Sequence, residues 1–172
     1  MRAWNRGTLR LTLISMLAAG GLVLFVFESF LPIPPWFRPG LGNIATIIAL
    51  FLFSLGDSLK VTVLRVVLGS LVLGRLFTPL FMLAITGSLA SAFTMWLVKK
   101  AGRGALGPVG VSVAGAVVHN LVQLAAAYLL FVKSIELFIF IPIFSITGII
   151  TGVLTGLVSA MTVERMEHLV SE

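Results

Sequence analysis

The chain has 172 residues, of which 59% are hydrophobic and 10% charged, with a mean hydropathy of +1.14 and a net charge of +6. An ordinary soluble domain is about a quarter charged, so this composition leaves too little polar surface for a water-soluble fold and points to a single transmembrane domain over residues 1–172. The absence of cysteine excludes disulfides, thiolate catalysis and cysteine-built metal sites, and the basic excess, which in a soluble domain would suggest nucleic acid, sits at the ends of apolar runs.

The chain opens with a basic tail, residues 1–10, carrying Arg2, Arg6 and Arg10. The apolar run Leu11–Phe27 follows. Basic residues before an apolar run resemble a signal peptide, but no small-x-small cleavage site appears before Glu28, so the run is expected to remain as a first membrane helix. Residues 31–42, LPIPPWFRPGLG, cannot be helical throughout because of their prolines. They read as a rigid outer loop, with Trp36 and Phe37 suited to the membrane interface.

Beyond the loop, Pro39–Gly56, Leu76–Val98, Gly104–Val132 and Leu137–Val163 are each long and apolar enough to cross roughly 30 Å of hydrocarbon. Between the first two of these lies Asp57–Arg75, which carries Lys60 and Arg65. Val61–Leu64 and Val66–Leu73 flank Arg65 with apolar side chains, so this segment too is read as a span. The expected fold is an all-α integral membrane protein of about six transmembrane helices in one bundle, ending in a tail over residues 164–172.

Six spans fix an orientation. With the N terminus inside, Arg2, Arg6, Arg10, Lys60, Lys99, Lys100, Arg103 and Arg165 lie on the cytoplasmic side, and only Arg38, Arg75 and Lys133 lie outside. That distribution obeys the positive-inside rule. It places both termini in the cytoplasm of a bacterial cell, with the bundle in the inner (plasma) membrane.

Helical periodicity then sorts faces. On the fifth span Ser112, Gly115, Ala116, His119, Asn120 and Gln123 share one side, read as inward, and Val113, Val117, Leu121 and Leu124 share the other, read as lipid-facing. The sixth span presents Ser145, Gly148, Gly152, Thr155, Gly156 and Ser159 on one face, a small-residue stripe that permits close helix packing.

Arg65 carries the most information. An arginine near the centre of a membrane helix costs about 2.5–3.5 kcal/mol on insertion scales, so it must face protein, water or a ligand. Two readings stand: a buried structural arginine satisfied by groups such as Ser70 or Thr46, or an anchor for an anionic ligand, for which the guanidinium fork is well shaped. The candidate ligand-binding set is Asn43, Thr46, Arg65, His119, Asn120 and Gln123, the polar groups that periodicity turns inward. Interhelical hydrogen bonding is the competing account of His119, Asn120 and Gln123; Asn43 is either a helix cap or a ligand contact. Glu28 reads as reaching water, and Lys60 as snorkelling to the surface.

No catalytic constellation is present. There is no nucleophile elbow, no phosphate loop and no paired-carboxylate motif, and Asp57 is the single aspartate. His119 and His168 are too few for a histidine-built metal centre. The expectation is a non-enzyme with no cofactor and no metal.

Four runs together resemble a family described as heptaprenyl diphosphate synthase component I, also called the Gx transporter family. They are RPGLGNI from Arg38 to Ile44, LRVVLGS from Leu64 to Ser70, GPVGVSVAGAVVHNL from Gly107 to Leu121, and TGVLTG from Thr151 to Gly156. The helix-five run is the most specific; Arg38-Pro39 and Gln123 depart from the family pattern. The family is in turn similar to the substrate-binding S components of energy-coupling factor vitamin transporters. That likeness implies a six-helix subunit that binds a small molecule near the outer side and works with a membrane coupling subunit and two ATPases. The ligand is expected to be anionic, such as a phosphorylated vitamin, a flavin or an isoprenoid precursor. The alternative implied by the synthase name is a non-catalytic membrane accessory to a prenyl diphosphate or quinone-precursor synthase. The partners expected are therefore the bilayer, a small-molecule ligand and this coupling machinery, with no nucleic acid.

The topology is directly testable, because a cysteine-free chain makes single-cysteine labelling clean. An impermeant thiol reagent applied to intact cells should modify cysteines placed at Trp36 or Lys133 and leave Arg103→Cys unmodified. Labelling of Arg103→Cys from outside would overturn the six-span orientation.

Overall fold

A computed structural model describes residues 7–31, 40–103 and 105–171. The described residues form six α-helices and no strand: α1 (Gly7–Phe30), α2 (Asn43–Leu52), α3 (Leu55–Val72), α4 (Pro79–Ala101), α5 (Pro108–Ala127) and α6 (Ile141–Ser171). A π-helical turn, Tyr128–Val132, extends α5 as far as Lys133, which turns the chain with a left-handed φ of 50°. A short 3-10 helix, Ile135–Phe140, then leads into α6. Most of the expected outer loop, residues 32–39, lies outside the described residues.

Four of these stretches, Gly7–Phe30, Pro79–Ala101, Pro108–Val132 and Ile135–His168, are long and apolar enough to cross a membrane. Their exposed sides are greasy. Along α6 the buried positions Thr147, Thr151, Thr155 and Ser159 alternate with exposed Ile146, Ile150, Val153, Leu154 and Leu157. This is a soluble helix turned inside out, with its hydroxyls inward and its aliphatic face toward lipid.

The second expected span is where the structure differs most. Pro39–Gly56 was read as one crossing, yet its helix covers only Asn43–Leu52, ten residues. At about 1.5 Å per residue it reaches about halfway through the hydrocarbon. Ser54 explains the stop: its hydroxyl accepts a hydrogen bond from the Asp57 N–H and so caps the start of α3. The chain turns back at Phe53–Ser54, and α2 and α3 form a hairpin. The 18-residue α3 buries Ser58, Thr62, Arg65 and Gly69 and exposes Val63, Leu64, Leu68 and Leu71.

Every residue of α2 except Phe51 is buried. The helix touches all five others, and each of its faces joins a different apolar cluster. Ala45 and Ala49 pack with Ile14, Ala18 and Val61; Ile44, Ile48 and Leu52 with Val163; Ile47 and Leu50 with Met95 and Val111. A helix that is apolar all round belongs inside a bundle.

One end of the bundle is tied by charge. Asp57 pairs with Arg10 of α1, accepts a 2.9 Å hydrogen bond from the Ser54 hydroxyl, and lies 3.2 Å from the Lys60 ammonium. Lys99 of α4 donates to the Leu50 carbonyl at 2.8 Å and lies over the Phe51 ring, 4.4 Å from its centroid.

The faces of α5 need correction. Val113 and Val117, read as lipid-facing, lie against α6. A Cβ added at Gly148 would meet the Val117 Cα at 2.9 Å, and one at Gly152 the Val113 Cα at 2.6 Å; one at Gly156 would meet the Val109 Cα at 2.7 Å. Leu124 is buried as well. Because α4 packs on one side of α5 and α6 on another, α5 needs two inward faces, and single-helix periodicity sorts residues into only one. The Ser112 and Thr155 hydroxyls, 3.0 Å apart, join α5 to α6.

The backbone contact at Gly152 predicts an asymmetric response to alanine. Gly152→Ala should force α5 and α6 apart and lower stability by about 1–3 kcal/mol, as overpacking does. Gly20, whose added Cβ would meet nothing within 4 Å, should accept alanine neutrally or with a gain of about 0.5–1 kcal/mol. Thermal unfolding of the two purified variants in detergent checks this; equal midpoints would mean that the close α5–α6 approach is not as described.

Candidate functional site

The site grows from the buried start of α2. Gly40 adopts a left-handed φ of 64°, a conformation open to glycine at little cost, and its carbonyl accepts from the Asn43 N–H at 2.8 Å. The carboxylate of Glu28, near the end of α1, accepts from the Gly40 N–H at 2.9 Å and from the Leu41 N–H at 2.8 Å. Read from sequence as reaching water, Glu28 instead holds the approach to α2, where an anion also complements the helix dipole.

Arg65 rises from α3 into this region. It is 3% exposed, so its charge has no direct access to bulk water. Its guanidinium donates to the Asn43 side-chain carbonyl and, at 3.5 Å, to the Ser88 hydroxyl of α4. The Glu28 carboxylate is near enough to act on it electrostatically. Two glycines make the room: a Cβ at Gly21 would lie 3.3 Å from the Arg65 Cδ, and one at Gly42 only 2.5 Å from an Arg65 terminal nitrogen. The Arg65 Nε has no hydrogen-bond partner among the described residues. The partners suggested by sequence, Ser70 and Thr46, are not the ones used.

Beside the guanidinium lies a cavity of about 30 Å³, bordered by Glu28, Asn43, Arg65, Ser88, His119 and Gln123, with Phe25, Gly40 and Ala84 completing it. That volume suits one or two waters. The α4–α5 wall is close: a Cβ at Gly87 would lie 2.8 Å from the Gln123 Cγ and 3.1 Å from the His119 carbonyl.

Of the six candidate residues, the structure brings Asn43, Arg65, His119 and Gln123 together around this cavity and leaves two elsewhere. Thr46 faces α3: its hydroxyl is 3.0 Å from that of Thr62, and its carbonyl accepts from Ser58 at 2.9 Å. Asn120 faces α6, donating to the Phe144 carbonyl at 2.9 Å and to the Thr147 hydroxyl at 3.4 Å. Both are clamps between helices. Sequence reasoning missed Ser88 as a partner of Arg65 and Glu28 as part of the site. Glu28 carried a signal, since it is the one acidic residue between the N terminus and Asp57.

Among the described residues no group of three or more His, Asp or Glu side chains is placed to hold a metal ion. The chemistry on offer is recognition: a buried guanidinium, a carboxylate, two amides, a hydroxyl and an imidazole around one small space.

These features define a polytopic membrane protein with an internal polar site built around Arg65 and Glu28. The chain belongs to the family described as heptaprenyl diphosphate synthase component I, which it matches over residues 17–162. The family description names one component of a synthase. No curated protein and no solved structure matches it. The likeness to transporter S components gains nothing from the family match.

The contact between Arg65 and Asn43 can be weighed by substitution. A hydrogen bond to a charged group contributes about 1.5–3 kcal/mol, so Asn43→Ala should lower stability by that order. Ser88→Ala removes a longer contact and should cost less. Thermal midpoints of the purified variants decide it, and equal losses would show that Asn43 does not hold the guanidinium.

Proposed function

We propose that this chain is the non-catalytic, membrane-embedded component of a prenyl diphosphate synthase system and that it binds an anionic small molecule at Arg65. The observation that carries the reading is a buried guanidinium beside a cavity, hydrogen-bonded to the Asn43 amide and the Ser88 hydroxyl, with the Glu28 carboxylate near enough to act on it and its Nε without a hydrogen-bond partner among the described residues. Charge held this way is costly. A guanidinium offers five donors in a planar fork that suits phosphate and carboxylate oxygens. In this reading Arg65, Asn43, His119 and Gln123 contact the ligand, while Thr46 and Asn120 keep the helices in place. The bundle sits in a bacterial plasma membrane with both termini in the cytoplasm.

A second reading, translocation as part of an energy-coupled transporter with a membrane coupling subunit and two ATPases, has one specific observation in its favour. A half-length helix whose N terminus meets a polar site inside the bundle is a recurring way for transporters to hold anionic groups, and α2 has that form. Proteoliposomes separate the two. An accessory component retains its ligand without moving it, whereas a transporter subunit joined to its ATPases accumulates it.

The anion-binding reading predicts what is carried through purification. Mass spectrometry of small molecules released from the wild-type protein should show an anionic species that Arg65→Leu loses and that Asn120→Ala retains while unfolding at lower temperature. Retention of that species by Arg65→Leu would make the arginine purely structural.

A further inference from the structure

The Glu28 carboxylate is held as an anionic ligand would be. Two successive backbone N–H groups donate to it, Gly40 to one oxygen at 2.9 Å and Leu41 to the other at 2.8 Å. Successive N–H groups aimed at one point form an anion-binding concavity. This one leads into the N terminus of α2, whose dipole favours negative charge, whereas Glu28 itself stands in the last turn of α1, where the dipole disfavours it. Beside it the Arg65 guanidinium is 3% exposed, with its Nε lacking a hydrogen-bond partner among the described residues. Glu28, Gly40, Asn43 and Arg65 all border the same cavity of about 30 Å³. That space takes a water or two and no polyatomic anion. An anion that reaches Arg65 must therefore take the place of the one already there.

We propose that Glu28 is a built-in occupant of the anion site and that the ligand is a carboxylate, which enters by exchange with it. The Glu28 side chain swings out, and the carboxylate of the ligand takes over the Gly40 and Leu41 N–H groups beside Arg65. The proposal rests on the anion-binding reading and names the class of its ligand. The resident group argues for that class. Two donors, each aimed at a separate oxygen, suit a planar two-oxygen group, and the space that Glu28 vacates is that of a carboxylate on a short stem. The donors belong to the backbone and stay when the side chain leaves; Gly40 holds its part of the cradle at a left-handed φ of 64°. Glu28 is half-buried near the end of its helix, so rotation of its own side chain frees the position. Exchange also keeps the charge balanced. One carboxylate departs as another arrives, so the buried guanidinium keeps a counter-anion and no second negative charge enters the interior.

The test is thermal unfolding of the full chain in detergent, titrated with formate, acetate or inorganic phosphate, with chloride at matched ionic strength as the reference. Glu28→Ala empties the position, so its unfolding midpoint should rise saturably with formate and acetate and not with chloride. The wild-type protein must give up charge-assisted hydrogen bonds to admit the same anion and should bind it at least about tenfold more weakly. Glu28→Asp, one methylene shorter, keeps the charge but withdraws from the N–H groups, and should fall between the two. If Glu28→Ala fails to fold, Glu28→Asp against wild type gives the same comparison. Adding Arg65→Leu to either variant should abolish the response. Equal carboxylate affinity in wild type and in the Glu28 variants, still lost with Arg65→Leu, would overturn the exchange and leave the anion-binding reading intact. So would a variant that answers to phosphate more strongly than to acetate, or to neither. A carboxylate response that Arg65→Leu leaves unchanged would overturn both.

Discussion

A ten-residue helix enclosed by five others is the constraint on which the rest of the molecule depends. Short helices do not hold themselves together in isolation, and the first residues of α2 are buried among its neighbours, so its unpaired terminal N–H and C=O groups depend on them for partners. Both ends are answered from neighbouring helices. The Glu28 carboxylate of α1 takes two N–H groups just before the helix, and the Lys99 ammonium of α4 takes the Leu50 carbonyl near its end. An anion at the N-terminal side and a cation at the C-terminal side also match the helix dipole.

The same enclosure explains where the small residues fall. To surround α2, α1 approaches it through Ala18 and Gly21, and α3 through Val61 and the Thr62 hydroxyl. On the other flank, α5 and α6 close on each other along Gly148, Gly152 and Gly156. Association in lipid has no hydrophobic drive to rely on, so backbone approach and hydroxyl pairs carry it. The hydroxyls of Thr46 with Thr62 and of Ser112 with Thr155 are two such pairs, one on each side of the buried helix.

Legibility in the sequence followed this division. Spans that face lipid announce themselves, because a long apolar run is required of them; α1, α4 and α5 were read close to their observed bounds, while α6 runs on to Ser171 through residues read as a tail. Of the face read as inward on α6, Gly148, Gly152, Thr155, Gly156 and Ser159 are buried, whereas Ser145 is only half-buried. In α5 the assignment failed at Val113 and Val117, where a second neighbour made the aliphatic side another interface. In α2 it failed because composition does not tell a helix buried in lipid from one buried in protein. The break at Ser54, a capping hydroxyl three residues before Asp57, was the available signal. For the site, the high cost of a buried charge singled out Arg65, and inward periodicity brought Asn43, His119 and Gln123 beside it. Ser88 and Glu28 depend on how α4 and α1 meet α2, which one sequence does not encode locally.

The position of Arg65 follows from the length of α2. Counting from the turn at Phe53–Ser54, the first residue of α2 and the arginine on α3 are each about eleven residues away, so the hairpin sets them at the same depth. A longer α2 would carry its N terminus past the arginine and fill the space with side chains; a shorter one would leave Asn43 out of reach. At the observed length the opened end of α2, with its glycine-rich approach Gly40-Leu41-Gly42, lies beside the guanidinium, and α4 and α5 supply the far wall. Glycine at 42 admits the head of the arginine, and glycine at 87 admits the stem of Gln123. The half-length helix that makes the bundle hard to stabilise is therefore also what leaves a polar interior for Arg65 to occupy. A full-length second span would have removed both the cost and the site.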